Sequence, residues 1–202
     1  MFTGLVQFLA NVVAVREEAP GRRLVIDAGP LAAQAALGDS ICVSGCCLTV
    51  VEIEGPRLSF QAGPETLAKT TLGRLAAGSR VNLEPSLALG DKLGGHLVSG
   101  HVDGVGSLVR RDDERDWSTF RFRMPDRLAR QMAPKGSVAV DGVSLTLVEV
   151  TADEFTVALI PHTLGVTTLG ALQPGSEVNL ETDLLAKYVE SQLAAFRGLP
   201  GG

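Results

Sequence analysis

Two short strings carry the atoms best suited to chemistry: Cys47-Leu48-Thr49 and Ser144-Leu145-Thr146. Along an extended strand successive side chains alternate faces. Ser144 and Thr146 therefore project one way, and Val143, Leu145 and Leu147 the other. Cys47 and Thr49 take the matching places in the first string, and each string follows a turn glycine, Gly45 or Gly142. A thiol or hydroxyl beside a threonine hydroxyl can hold a polar ligand, activate a water or accept a proton. A lone Ser-x-Thr on a strand is most often an ordinary solvent face. Its recurrence at matching places weighs for a site.

The three histidines, His96, His101 and His162, supply the remaining acid–base candidates. His101 is the strongest of them, because an imidazole titrates near neutral pH. His96 and His101 are five residues apart, a spacing that puts them on no common helix or strand face, and no third ligand completes a metal site. The glycine-rich stretch around them, Gly94-Gly95-His96-Leu97-Val98-Ser99-Gly100-His101-Val102-Asp103-Gly104, lacks both a P-loop and a dinucleotide fingerprint. Its glycines predict tight turns or a close backbone approach to a flat ligand.

The elements that must position these groups come in two copies. Gly38 to Ile53 repeats as Lys135 to Val150, and subtracting 45 from 142 sets the offset at 97 residues. The same offset lays Val81-Asn82-Leu83-Glu84 on Val178-Asn179-Leu180-Glu181, and Pro64-Glu65-Thr66-Leu67 on Pro161-His162-Thr163-Leu164. An offset of 96 lays Thr3-Gly4-Leu5-Val6 on Ser99-Gly100-His101-Val102. An internal duplication follows. His101 then stands where the first copy has Leu5, which predicts that the second copy is the specialised one.

Short apolar runs such as Leu5 to Val15, Arg23 to Ile26, Ile41 to Val43, Cys47 to Ile53 and Val81 to Leu83 alternate with Gly, Pro, Asp and Ser turns. They predict an all-β chain: tandem six-stranded Greek-key barrels, each interrupted by one short helix. The helices fall at Pro30 to Leu37 and Asp126 to Met132. The expected units are an N-terminal barrel over 1–95, a C-terminal barrel over 96–182, and a C-terminal helix and tail over 183–202. Thr182 is the expected N-cap of that helix, which stops at Gly198 and Pro200. Leu185, Val189, Leu193 and Phe196 make one apolar stripe on it. The stripe packs on its own barrel or on another subunit.

With 23 acidic against 18 basic residues and no basic run, the chain offers no nucleic-acid or anionic-membrane surface. No apolar run reaches the length of a bilayer span, and the N-terminus does not read as a signal peptide. The three cysteines, Cys42, Cys46 and Cys47, make no disulfide framework. A soluble, reduced, cytoplasmic protein is expected.

Met1-Phe2-Thr3-Gly4, Gly45-Cys46-Cys47-Leu48-Thr49-Val50, the histidine-bearing stretch, Asp141-Gly142-Val143-Ser144-Leu145-Thr146 and Ile160-Pro161-His162-Thr163-Leu164 together resemble the riboflavin synthase family, alpha-chain type. The resemblance runs from Met1 through the terminal helix. It departs from the family pattern at Gln61-Ala62-Gly63 and at Pro85-Ser86-Leu87-Ala88. It implies a homotrimer joined by the C-terminal helices, with each active site between the N-barrel of one subunit and the C-barrel of its neighbour. It implies a cofactor-free, metal-free dismutation of two 6,7-dimethyl-8-ribityllumazine molecules into riboflavin and 5-amino-6-(ribitylamino)uracil, and lumazine synthase as a partner. The resemblance makes Ser144, Cys47, His101, Thr146 and Phe2 the catalytic candidates. The implied substrate contacts are Thr3 with Gly4, Leu5 and Val6; Leu48 and Thr49; Ala62, Gly63, Pro64, Glu65, Thr66 and Leu67. The remaining contacts are Gly100 with Val102; Lys135; Leu145; Leu159, Ile160, Pro161, His162, Thr163 and Leu164; and Asp183. A lumazine- or flavin-binding antenna protein on the same fold is the competing reading.

Overall fold

The structure, a computed structural model, describes residues 1–115 and 117–197, with side chains through residue 194. Twelve strands, β1 (Phe8–Glu18), β2 (Gly21–Asp27), β3 (Ser40–Val43), β4 (Cys46–Glu54), β5 (Arg57–Ala62), β6 (Arg80–Pro85), β7 (Gly104–Asp113), β8 (Ser118–Arg123), β9 (Ser137–Val140), β10 (Val143–Val150), β11 (Glu154–Leu159) and β12 (Glu177–Thr182), close into two barrels. The order around the first is β1-β2-β5-β4-β3-β6, and around the second β7-β8-β11-β10-β9-β12. The two circuits are identical in connectivity, every pairing is antiparallel, and both barrels are Greek keys.

Local sequence explains the strands. Ser118 to Arg123 alternates buried and exposed without a break, the period-2 signature of a strand with one face in a core. Ser44-Gly45 and Asp141-Gly142 are two-residue turns with φ of 44° and 87°, and 46° and 77°, as a tight hairpin requires. The ladder register slips at four matching places: between Val12 and Ala14, Val50 and Glu52, Leu108 and Arg110, and Leu147 and Glu149. The skipped residues are Val13, Val51, Val109 and Val148, and all four are exposed valines. A bulge turns its extra residue out of the alternation, which is why apolar side chains face solvent there. The first core is built on Leu24, Ile26, Ile41, Val43, Phe60 and Leu83. The second is built on Phe120, Phe122, Phe155, Val138, Val157 and Leu180, with the Phe122 and Phe155 rings stacked 5.3 Å apart.

Several boundaries differ from expectation. The apolar run from Leu5 becomes strand only at Phe8, because residues 2–6 leave their own barrel. The helices expected at Pro30 to Leu37 and Asp126 to Met132 are short 3-10 turns, Gly29–Ala33 and Asp126–Gln131. One interrupting helix per barrel is too few. Each barrel also carries an α-helix, α1 (Pro64–Lys69) or α2 (Pro161–Val166), followed by a second 3-10 turn. Pro at the first helical position, where no N–H is needed, starts both α1 and α2.

The last helix, α3, spans Leu184–Arg197. Thr182 ends β12 and is not its cap. Asp183 caps it: a side-chain oxygen accepts the Leu185 N–H at 2.9 Å, and its carbonyl accepts the Lys187 N–H. Lys187 pairs with Asp103 at 2.7 Å and Gln131 donates to Glu190 at 2.6 Å, so the polar edge of α3 holds the second barrel. The apolar stripe stays out of that contact, with Leu185 63% exposed, Val189 57% and Leu193 53%. The Phe196 side chain, Gly198 and Pro200 lie outside the described residues. Among the described residues no helix is long and apolar enough to cross a membrane.

Candidate functional site

Each barrel is completed by a segment from the other copy. The Thr3 N–H and Oγ–H donate to Glu84 Oε1, both at 2.7 Å, and the Gly4 N–H donates to Glu84 Oε2 at 3.0 Å. The chain then passes onto the second barrel, where the Gly4 carbonyl accepts the Ser144 N–H at 2.8 Å and Val6 packs on the second core. The other half mirrors this. Glu181 accepts the Ser99 N–H and Oγ–H at 2.6 and 2.7 Å and the Gly100 N–H at 2.9 Å. The Gly100 carbonyl accepts the Cys47 N–H at 2.8 Å, and Val102 packs on the first core. Phe2 and Val98 pair at the centre of the crossing, through N–H···O bonds of 2.8 and 3.1 Å.

Gly4 and Gly100 are needed here. Their φ values are 76° and 79°, and a Cβ at either would lie 2.6 Å from Cβ of Ser144 or Cys47. Gly100 was expected to make a tight turn or to approach a flat ligand; the close approach seen, at Gly100 and at Gly4 alike, is to a strand of the opposite barrel. Cys47, Thr49, Ser144 and Thr146 all lie on outer barrel faces, with Leu48, Val50, Leu145 and Leu147 pointing into the cores.

On the first barrel a groove of about 290 Å³ is lined by Cys47, Glu65, Thr66, Lys69, Gly100 and His101, among others. His101 therefore serves the first barrel, and the expectation that it specialises the second is corrected. The crossing carries each segment away from the copy it belongs to in sequence. Leu5, half exposed, occupies the corresponding place beside Gly4 and Ser144 on the second barrel.

On the second barrel Ser144 meets a partner the first lacks. His96 Nδ1 lies 2.7 Å from Ser144 Oγ, and His96 Nε2 is buried with no hydrogen-bond partner among the described residues. Burial pushes the His96 imidazole below its usual pKa, with the Asp183 charge pulling the other way. A neutral ring gives Ser144 a partner in either tautomer.

Other candidates are placed as follows. Glu65, Thr66 and Leu67 sit on α1, and His162, Thr163 and Leu164 on α2, at matching positions of the two barrels. Pro64 and Pro161 begin those helices, next to Gly63 and Ile160. Leu48, Ala62, Leu145 and Leu159 turn into the cores, so only their backbone faces a site. Phe2 is fully buried between the barrels with Cys42, Val98 and Ala139. Lys135 is exposed in the turn before β9, at a φ of 68°.

Sequence reasoning names His96 only as one of three acid–base candidates, without its partner, and gives no site role to Glu84, Glu181, Asn82 or Asn179. The His96 contact with Ser144 spans 48 residues, which no local pattern announces. The other four were visible as an Asn-Leu-Glu identity at the end of each copy, which a solvent-facing strand would not need. Asn82 accepts the Thr168 N–H and donates to Asp141 O, and Asn179 accepts the Thr71 N–H and donates to Ser44 O. These reciprocal bonds join the barrels.

Two closed barrels, each finished by the other's segment over a Cys-x-Thr or Ser-x-Thr strand, define a tandem lumazine-binding architecture. The family model described as lumazine binding domain matches twice, over residues 3–86 and 99–183. Riboflavin synthase of Mycobacterium tuberculosis H37Rv is 46% identical over 195 residues, covering 94% of this chain and 96% of its own. That of Brucella abortus is 44% identical, covering 98% and 100%, and that of Bacillus subtilis 37%, covering 94% and 88%. LumP complexed with riboflavin superposes with a TM-score of 0.83 at 29% identity, covering 90% of this chain and 99% of LumP. LumP complexed with 6,7-dimethyl-8-(1'-D-ribityl) lumazine gives 0.82 at 27%. The chain belongs to the riboflavin synthase family.

Proposed function

We propose that this chain is a transferase that converts two molecules of 6,7-dimethyl-8-ribityllumazine into riboflavin and 5-amino-6-(ribitylamino)uracil. The observation that carries the reading is the pairing of two equivalent strand sites, Gly100 over Cys47 and Gly4 over Ser144, in one chain. A dismutation needs a donor and an acceptor copy of one heterocycle, and a duplicated scaffold offers two related places. Holding both rings in register removes a bimolecular encounter, an advantage of about 7–11 kcal/mol in favourable cases. The remaining chemistry is proton removal from the 7-methyl group of one lumazine and nucleophilic addition at C7 of the other.

Ser144, Thr146, Cys47 and Thr49 then contact the rings from the strands, and His101 stands beside the ligand on the first barrel. His96 holds Ser144 in place as a donor or acceptor. Phe2 fixes the N-terminal segment between the barrels. The helices α1 and α2 reach the ribityl chains through Glu65 and Thr66 and through His162 and Thr163, with Lys135 and Asp183 at the margins.

The exposed face of α3 supports a homotrimer. Beside it a groove of about 440 Å³ is lined by Arg130, Ala186, Val189, Glu190, Leu193 and Ala194. Three such faces, meeting at a shared axis, cover Leu185, Val189 and Leu193 and bring the N-barrel of one subunit to the C-barrel of the next. The reaction belongs in the cytoplasm, and lumazine synthase, which forms the substrate, is the natural partner there.

Likeness to LumP favours a second reading, a protein that binds lumazine without converting it. Purified protein given 6,7-dimethyl-8-ribityllumazine and no cofactor separates the two. Riboflavin should appear as two lumazines disappear per product. Tight binding with no conversion would overturn the enzyme reading in favour of the binding one. Cys47→Ala and Ser144→Ala should lower turnover more than affinity; loss of affinity alone would reduce both residues to ligand contacts.

A further inference from the structure

Cys42 and Cys47 face each other across the β3–β4 hairpin. The hairpin closes through Ser44-Gly45, so Val43 and Cys46 flank the turn and Cys42 and Cys47 form the next pair out. The Cys47 N–H donates away from this pair, to Gly100 O at 2.8 Å. Cys42 and Cys47 are therefore a non-hydrogen-bonded antiparallel pair, in which the Cα atoms lie about 4.5 Å apart. That falls within the roughly 4.4–6.8 Å span of disulfides.

Both side chains lie on the outer face of the barrel, in one small apolar cluster with Phe2, Val98 and Ala139. Cys46 points the other way, into the first core. Cys42 is 2% exposed, whereas Cys47 is half-buried at the edge of the groove that His101 lines. One thiol thus meets solvent and the other waits behind it. The second copy has Ala139 opposite Ser144 at the same register, so the fold does not need sulfur at either place.

We propose that Cys42 and Cys47 form a peroxide-driven, reversible disulfide that takes the Cys47 sulfur out of the first-barrel groove. The half-buried Cys47 sulfur attacks the peroxide O–O bond, becomes a sulfenic acid and releases water. The Cys42 sulfur then attacks the sulfenic sulfur, the S–O bond breaks, and a second water leaves with the Cys42 proton. Two thiols are oxidised by two electrons and one hydrogen peroxide is reduced to two waters. Burial and the Glu84 charge hold the Cys42 thiol protonated, so Cys47 is the sulfur that attacks the peroxide first. The pairing belongs to the hairpin and stands whether or not the groove takes a lumazine.

Treating the full-length protein with hydrogen peroxide, with lumazine absent, tests this. Free thiols should fall from three to one, and the intact mass should drop by about 2 Da. Alkylation of the remaining thiol, then reduction and labelling with a second reagent, should place the second label on Cys42 and Cys47. Dithiothreitol should restore all three thiols. Cys42→Ala, which copies Ala139, should keep both of its thiols out of any disulfide and gain oxygen on Cys47 instead. The proposal is overturned if wild type and Cys42→Ala gain oxygen alike, if all three thiols survive, or if the second label falls on Cys46.

Discussion

The two barrels share a circuit, a bulge pattern and a crossing, yet their sites differ in chemistry. On the first, a thiol, Cys47, lies in an open groove with His101 at its edge. On the second, a hydroxyl, Ser144, is held at 2.7 Å by a buried histidine. The backbone contacts are the same to within a few tenths of an ångström: Glu84 and Glu181 each gather three donors, and Gly4 and Gly100 each accept one strand N–H at 2.8 Å. Duplication kept the crossing that frames each strand and let the side chains beside it diverge. That is what a reaction with one donor and one acceptor of the same structure would favour.

The shared scaffold is the part most open to breaking. Glu181→Ala or Glu84→Ala leaves three donors without their shared acceptor and should cost about 3–5 kcal/mol of stability, at roughly 1–3 kcal/mol per buried donor left unpaired. A denaturant titration measures this, and the two losses should be similar. A large cost on one side alone would mean that the crossings are not equivalent. Next in size, Gly4→Ala and Gly100→Ala force a left-handed alanine against Cβ of the facing strand, at roughly 2–4 kcal/mol each. Thermal melts showing either variant at wild-type stability would contradict the close approach.

One difference between the copies should appear in the pH dependence. Ser44 accepts the Asn82 N–H, and its counterpart Asp141 accepts the Asn179 N–H. Full burial raises the Asp141 carboxyl from its ordinary value near 3.8 to about 7. A folded state that binds the proton more tightly loses stability as pH rises through that window and changes no further above it. Asp141→Asn keeps the acceptor without the charge. It should be more stable than wild type at pH 8 by roughly 1–3 kcal/mol, with the gain shrinking toward pH 4. A pH-independent difference would show that Asp141 is not the titrating group. At the small end, Val51→Thr and Val148→Thr, at the bulges, should shift stability by less than about 0.5 kcal/mol. A larger loss at one would mean that its bulge is packed differently from its partner's.

The repeat, the barrels and the strand faces of Cys47 and Ser144 were legible because each rests on local pattern: an offset, a period of two, a turn glycine. The crossing was not. Nothing local says that Gly4 leaves its own barrel for Ser144, or that Gly100 leaves for Cys47, and so His101 was assigned to the wrong barrel. The His96–Ser144 contact is illegible for the same reason, since 48 residues separate the two. The helices α1 and α2 are too short for a helical period to show, and only the proline at their start marks them. The stripe on α3 was legible as apolar, but its exposure depended on which edge Lys187 and Glu190 would hold.

Two lumazine binding domains in one chain predict two lumazine sites, one on each barrel. A lumazine whose 7-methyl group is replaced by a carbonyl cannot give up the methyl proton and should bind without turnover. Calorimetric titration with it should give two molecules per chain with distinct affinities. His101→Ala should weaken only the first-barrel site, and Leu5→Arg only the second. One molecule per chain, lost equally with either substitution, would mean that the two barrels share a single site.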